Sequence, residues 1–161
     1  MNYIEEVVKL ESTLYTDEAH RFAHAAIGLV TESLEIIIAQ ENDDLDNLFE
    51  EIGDTYWYVA LMCHVLDMTM EEVEAIDAQV ENEGMVPFIL LDNAKKALFY
   101  GRTIDRDTMA VLLSVIIQTL REEVEDQGWT VDQVLEGNIQ KLKKRYGEKF
   151  STEAAINREI A

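Results

Sequence analysis

Apolar residues recur at three- and four-residue spacing almost throughout this chain, which holds one proline and seven glycines. That periodicity favours helices over strands, and it reads as an all-α bundle forming a single domain over residues 1–161. A first helix is predicted from about Asn2 to Leu14. Thr16 or Asp17 then caps a long second helix from Glu18 to about Gln40, with Phe22, Ala25, Ala26, Leu29 and Ile36 on its apolar side. The polar run Glu41 to Asp44 ends it, and Asp44 or Asp46 opens a third helix lasting to about Leu66. Thr69, with Glu72 three positions on, has the form of a capping box and predicts a fourth helix that fades near Gly84. Helix is expected again from Pro87 to Phe99, from Asp105 to Gln127 and after Thr130, with a break at Tyr100-Gly101-Arg102. The tail after Phe150 is expected to be loosely tied down.

The two halves of this pattern look related. Thr69-Met70-Glu71-Glu72-Val73 corresponds to Thr130-Val131-Asp132-Gln133-Val134 at an offset of 61, which also lays the helix from Leu48 onto the helix from Met109. Upstream, an offset of 54 lays the end of the second helix onto the segment starting at Val86, and a seven-residue longer loop around Tyr100 to Asp105 is expected to absorb the difference. One repeat then covers about residues 18–80 and the other about 84–150, with a tail over 151–161.

Within the first repeat, Glu32 and Glu35 are spaced i, i+3 on one helix, and Glu51 and Asp54 repeat that spacing on the next. Each pair projects from one face, and two such helices packed antiparallel bring four carboxylates together. Their flanks are apolar, with Leu29, Val30, Leu34, Ile36 and Ile37 on one helix and Ile52, Tyr56, Trp57 and Val59 on the other. The acids should therefore be at least half buried, where they repel strongly unless protons or cations offset them. Under the repeat alignment they fall on Val86, Ile89, Leu112 and Val115, all aliphatic, as expected of positions that face inward. A hard divalent cation such as Mg2+ suits four carboxylates and keeps waters that phosphate oxygens can replace. No Glu-x-x-His pair occurs, which argues against a di-iron carboxylate bundle.

Charge narrows the partners. Asp and Glu outnumber Lys and Arg by 33 to 13, for a formal charge of -20, so no broad basic surface for nucleic acid is expected. Cys63 is the only cysteine and lies in an apolar run, so a buried core thiol and a reducing cytoplasm fit it best. The first ten residues carry no basic-then-apolar leader, and no run reaches the ~18 apolar residues of a membrane span, so neither secretion by that route nor a membrane is expected.

These residues carry a family resemblance. His24-Ala-Ala-Ile-Gly-Leu-Val-Thr-Glu32-Ser-Leu-Glu35, followed by Glu50-Glu51-Ile-Gly-Asp54-Thr-Tyr-Trp57-Tyr, resembles the Glu-x-x-Glu and Glu-x-x-Asp signature of MazG-like all-α nucleotide pyrophosphohydrolases. The run from Asn138 through Lys141, Arg145 and Tyr146 to Phe150 and Ser151 is similar to the closing segment of many small members. Together the matches cover most of residues 20 to 151. The resemblance departs at Lys95-Lys96-Ala-Leu-Phe99-Tyr100-Gly101, which in short members follows the Glu-x-x-Glu on the same helix but here lies in the second half; Gln40-Glu41-Asn42 stands in its place.

That division suggests a four-helix-bundle-type pseudo-dimer in one chain, of a kind related to the dimeric-type dUTPases. The resemblance implies cleavage of a nucleoside triphosphate between its α and β phosphates, using Mg2+ or Mn2+ held by Glu32, Glu35, Glu51 and Asp54. One of these acids, with Glu35 favoured, or the neighbouring Glu50 would be the general base. Lys95, Lys96, Lys141, Lys144 and Arg145 are candidates to meet the phosphates, with Asn138 in the matched segment. Trp57, Tyr58 and Tyr146 are candidates to stack on a base, while His24 is expected to pack between helices. The apolar content allows a homodimer. The competing readings are a catalytically silent metal–nucleotide-binding module and a purely structural helical protein, and the sequence does not choose the base or sugar.

Overall fold

A computed structural model describes residues 1–147 and 155–156 of the chain, and among them the regular structure is helical. The helices are α1 (Tyr3–Leu10), α2 (Glu18–Glu41), α3 (Leu45–Val65), α4 (Met70–Glu74), α5 (Val86–Tyr100), α6 (Arg106–Asp126) and α7 (Val131–Tyr146), with one 3-10 turn at Glu83–Met85. Capping side chains set most of the starts. Asn2, Asp17, Asp44, Thr69, Asp105 and Thr130 each accept a backbone N–H from the first turn they precede. Among these caps only Thr130 completes a capping box, with the Gln133 side chain accepting from the Thr130 N–H at 3.0 Å.

Two helices are shorter than their sequence pattern predicts. The first stops at Leu10, because Glu11 turns extended and its carboxylate takes the Arg21 guanidinium in two bonds of 2.8 and 3.0 Å. The fourth stops at Glu74 rather than fading near Gly84. There Gln118 Nε2 donates to the Glu74 carbonyl, Arg121 pairs with the Glu74 carboxylate, and Asp77 takes a positive φ of 50°. Tertiary partners on α6 thus take over the end of α4 and turn the chain away.

α2 lies along α3 on one side and α5 on the other; α3 also receives α1 and α7, while α4 and α5 pack on α6. Phe22, Leu29, Ile52, Leu61, Leu90 and Leu113 fill the shared core. Cys63 is buried there, and burial pushes its thiol up to about 12, in keeping with a core role. Contrary to the sequence expectation, α2 is long and apolar enough, by length and composition, to cross a membrane, with a mean hydropathy of 1.5 over its best window. Its buried residues, from Phe22 to Leu29 and again at Ala39, face the bundle.

The 61-residue offset recurs in backbone detail. α3 and α6 are both 21 residues long, follow the aspartate caps Asp44 and Asp105, and lead past the positive-φ residues Asp67 and Gly128 to the threonine caps Thr69 and Thr130. The seven extra residues do not go into a loop as expected. α5 runs on to Tyr100 before the left-handed Gly101, five residues beyond the point that matches the end of α2, so most of the insertion is helix. The last helix of each half lies on the long helix of the other, α7 on α3 and α4 on α6.

Candidate metal centre and adjoining cavity

α2 and α3 are joined by the short turn at Asn42–Asp44, so they pack side by side and bring their acids into register. Carboxylate oxygens of Glu32, Glu51 and Asp54 lie within 4.8 Å of one another, all three partly buried. Glu35 is the exception among the expected four. It is exposed, one turn along α2 and outside the trio, yet near enough for its charge to raise the Glu51 pKa. Its repeat counterpart Ile89 is exposed too, whereas Val86 and Val115 are buried and Leu112 is half-buried. The expectation that all four positions face inward therefore fails at the Glu35/Ile89 pair and stands at the rest. Glu50 is exposed and outside the trio.

Crowding shows in the proton affinities. Burial, then a hydrogen bond with Glu51, then the charges of Asp54 and Glu51 raise the Glu32 carboxyl to about 8, with Lys141 pulling the other way. Glu51 is also raised, by burial first, although its bond from Glu32 opposes that. A proton or a cation held between the two carboxylates offsets their repulsion.

α7 supplies the counter-groups. Asn138 Nδ2 donates to Asp54 Oδ1 at 2.8 Å, and Lys141 Nζ donates to Oδ1 and Oδ2 at 2.7 and 2.8 Å. Asn138 is only 3% exposed, and its own Oδ1 accepts from the Tyr3 hydroxyl at 2.7 Å. Its close approach depends on Gly53, where an added Cβ would lie 3.1 Å from Asn138 Cβ. Phe49 holds the start of the same helix, seated on Gly137 and edge-on to Trp129 at 5.1 Å.

Beside the acids opens a cavity of about 310 Å3, lined by Glu32 and Asp54, by His24, Trp57, Tyr58 and Tyr146, and by Arg145. That volume is at the small end for a ligand site. The aromatic wall is made on α2 and α3: His24 stands edge-on to Tyr58 at 5.5 Å, and Trp57 to Tyr58 at 5.1 Å. Gly28 makes room for the Tyr58 ring, since an added Cβ there would fall 2.3 Å from it. Burial lowers the His24 pKa, so its ring is neutral near pH 7. Trp57 is 8% exposed, and its indole N–H is buried without an acceptor among the described residues.

Of the residues expected to meet phosphates or a base, Asn138, Lys141, Arg145, Tyr146, Trp57 and Tyr58 gather at this place. Lys95 and Lys96 do not: both pair with Asp92 on their own helix, at 3.7 and 2.7 Å, and neither lines the cavity. Lys144 is exposed on α7 and does not line it either. Sequence reasoning missed Tyr3, which bonds Asn138 across 135 positions and through it acts on Asp54, and assigned His24 to packing alone although it also forms a wall. No spacing signal could have found Tyr3. The end of the resembling C-terminal segment, Glu148 to Ser151, and the tail from Phe150 lie outside the described residues, apart from 155–156.

No family model, no curated protein and no solved structure matches this chain.

Proposed function

We propose that this protein is a Mg2+-dependent, MazG-like nucleoside triphosphate pyrophosphohydrolase, built as an internally duplicated pseudo-dimer. The observation that carries the reading is the Glu32–Glu51–Asp54 trio, of which Glu32 and Asp54 line a cavity with an aromatic wall and an arginine. Three carboxylates suit a hard cation, and three protein ligands leave coordination positions for water and phosphate oxygens. Burial and mutual repulsion raise the Glu32 and Glu51 carboxyls, and a cation bound between them offsets that repulsion. Bound by Glu32, Glu51 and Asp54, Mg2+ or Mn2+ would offset charge on phosphoryl oxygens and activate water.

The chain's own groups divide the remaining work. Arg145 meets phosphate oxygens with a planar fork of donors, and Trp57, Tyr58, Tyr146 and neutral His24 offer ring faces and edges to a base. Tyr3 and Asn138 hold Asp54 in one orientation. Glu35, exposed and one turn from Glu32, accepts the proton of the attacking water. The water oxygen bonds to the α phosphorus, the bond from that phosphorus to the oxygen bridging to the β phosphate breaks, and monophosphate and pyrophosphate leave. A homodimer is part of the proposal, because α2 and α5 leave Ile27, Leu34, Ile37, Phe88, Phe99 and Tyr100 exposed.

The test is pyrophosphate release from a panel of canonical and modified nucleoside triphosphates with Mg2+ or Mn2+, against an EDTA control. Metal-dependent formation of monophosphate and pyrophosphate is the expected result. No turnover, together with metal-dependent thermal stabilisation, would overturn hydrolysis in favour of a binding module.

A further inference from the structure

The Lys141 ammonium sits where a cation is needed. It reaches both oxygens of Asp54, and with the Asn138 amide it occupies both lone pairs of Oδ1 and one of Oδ2. Little of Asp54 is left for a divalent ion, and an ammonium and a metal on one carboxylate repel each other at close range. The two therefore compete for Asp54.

The two α7 groups are not equally held. Asn138 is buried, bonded at both ends and packed against Gly53, so it is fixed. Lys141 is 20% exposed at its side chain and anchored only by Asp54 among the bonds described for it, on a four-carbon stem that can swing. One turn further along the helix, Arg145 lines the cavity that adjoins Asp54. An ammonium leaving Asp54 therefore has a short path to any anion held in that cavity.

We propose that Lys141 is a displaceable stand-in for the metal: it closes the acid trio when the site is empty, leaves Asp54 when a divalent ion enters, and re-pairs with the polyphosphate that follows. The inference rests on the metal-site reading and adds a coupling to it. A metal alone costs Lys141 its partner and binds weakly. An anionic phosphate chain gives that partner back, so metal and polyphosphate bind cooperatively.

Mg2+ alone, without nucleotide, is the probe. Wild type, Lys141→Met and Lys143→Met are titrated by calorimetry, and the lysine side-chain ammonium signals of wild type are followed by NMR, with Lys141→Met identifying its peak. Lys143 is the control, because it pairs with Glu6 at 3.1 Å and its loss removes the same charge from the same helix. Lys141→Met is expected to bind Mg2+ about tenfold more tightly than wild type, and Lys143→Met to stay within about twofold. Saturating Mg2+ is expected to move the Lys141 signal to the position of a solvated lysine. Unchanged or weaker Mg2+ affinity in Lys141→Met, or a Lys141 signal that Mg2+ leaves in place, overturns the displacement while the metal site survives. Absence of Mg2+ binding in all three proteins overturns the metal-site reading, and the displacement with it.

Discussion

α3, carrying Glu51 and Asp54, and α6, carrying Leu112 and Val115, have the same length, the same kind of cap and the same exit turn, but they receive different neighbours. α7 runs for 16 residues over α3 and delivers Asn138 and Lys141 to Asp54. Its counterpart α4 stops after five. The positions 61 before Asn138 and Ile139 are Asp77 and Ala78, and there the Ala78 backbone N–H closes onto Ser114 Oγ at 3.0 Å. Gly53 and Ser114, themselves 61 apart, are the small residues that admit each approach. Half-buried acids persist where a second helix supplies an amide and an ammonium, and aliphatic side chains stand where it does not. The aromatic wall differs in the same way. Trp57 and Tyr58 correspond to Gln118 and Thr119, whose side chains bond backbone carbonyls of Glu74 and Val115.

The most direct way to break this comparison is to write the second half into the first. Glu32→Val, Glu51→Leu and Asp54→Val, combined, should lower turnover by about 10^3-fold or more and abolish stabilisation by Mg2+, since the groups proposed to hold the metal are gone. The metal-free protein should melt close to wild type, because the gain from replacing repelling charges by core is offset by the Asn138 and Lys141 donors that lose Asp54 as acceptor. Glu35→Gln alone should also stop hydrolysis yet keep the Mg2+ effect on melting, as Glu35 lies outside the trio. Pyrophosphate release and melting curves with Mg2+ or EDTA decide both, and Mg2+-dependent turnover in the triple variant would sink the site.

A narrower change tests the cavity beside the acids. Gly28→Ala puts a methyl 2.3 Å from the Tyr58 ring, so the ring must swing out of the wall. The expected outcome is a KM for nucleotide raised about tenfold with an unchanged Mg2+ shift in melting temperature, the loss of one stacking contact being worth about 1 kcal/mol. An unchanged KM would mean that the wall serves the core and not a ligand.

The halves should also differ in what pH does to them. Glu32, at about 8, and Glu51 are protonated more readily in the fold than in the unfolded chain, so the protons they hold stabilise the fold at low pH. That contribution is complete below the ordinary carboxyl range near 4.5 and is lost as pH rises towards 8. Metal-free wild type should therefore lose stability across that window, and the triple aliphatic variant should lose less. With Mg2+ present the trend should reverse for wild type, since the metal takes deprotonated ligands. Melting curves across the window, with and without Mg2+, read all three.

Much of this was legible in the sequence. Apolar periodicity and cap residues located the long helices, and the i, i+3 acid pairs located the trio, because both signals are local. The early ends of α1 and α4 were not legible, since Arg21 and the α6 side chains that cause them lie far along the chain or in another element. The same holds for Tyr3 on Asn138. Burial separated Glu35 from its three neighbours, which spacing alone could not do.

The smallest effect separates the two threonine caps. Thr69→Ala and Thr130→Ala each remove a side-chain acceptor from a first helical turn, a loss of about 1 kcal/mol, and both should lower the melting temperature. Their consequences for the site should part. Thr130 starts the helix that holds Asn138 and Lys141 over Asp54, and its capping box is doubly bonded, so fraying there loosens the α7 groups. Thr69 starts a helix that ends against α6, away from the acids. Mg2+ affinity measured by calorimetry should thus rise about twofold in Thr130→Ala, since a loosened Lys141 competes less for Asp54, and stay level in Thr69→Ala, a difference of only a few tenths of a kcal/mol. Equal effects would mean that the caps report general stability and that α7 is held on α3 by Phe49 against Gly137 and Trp129 without help from its first turn.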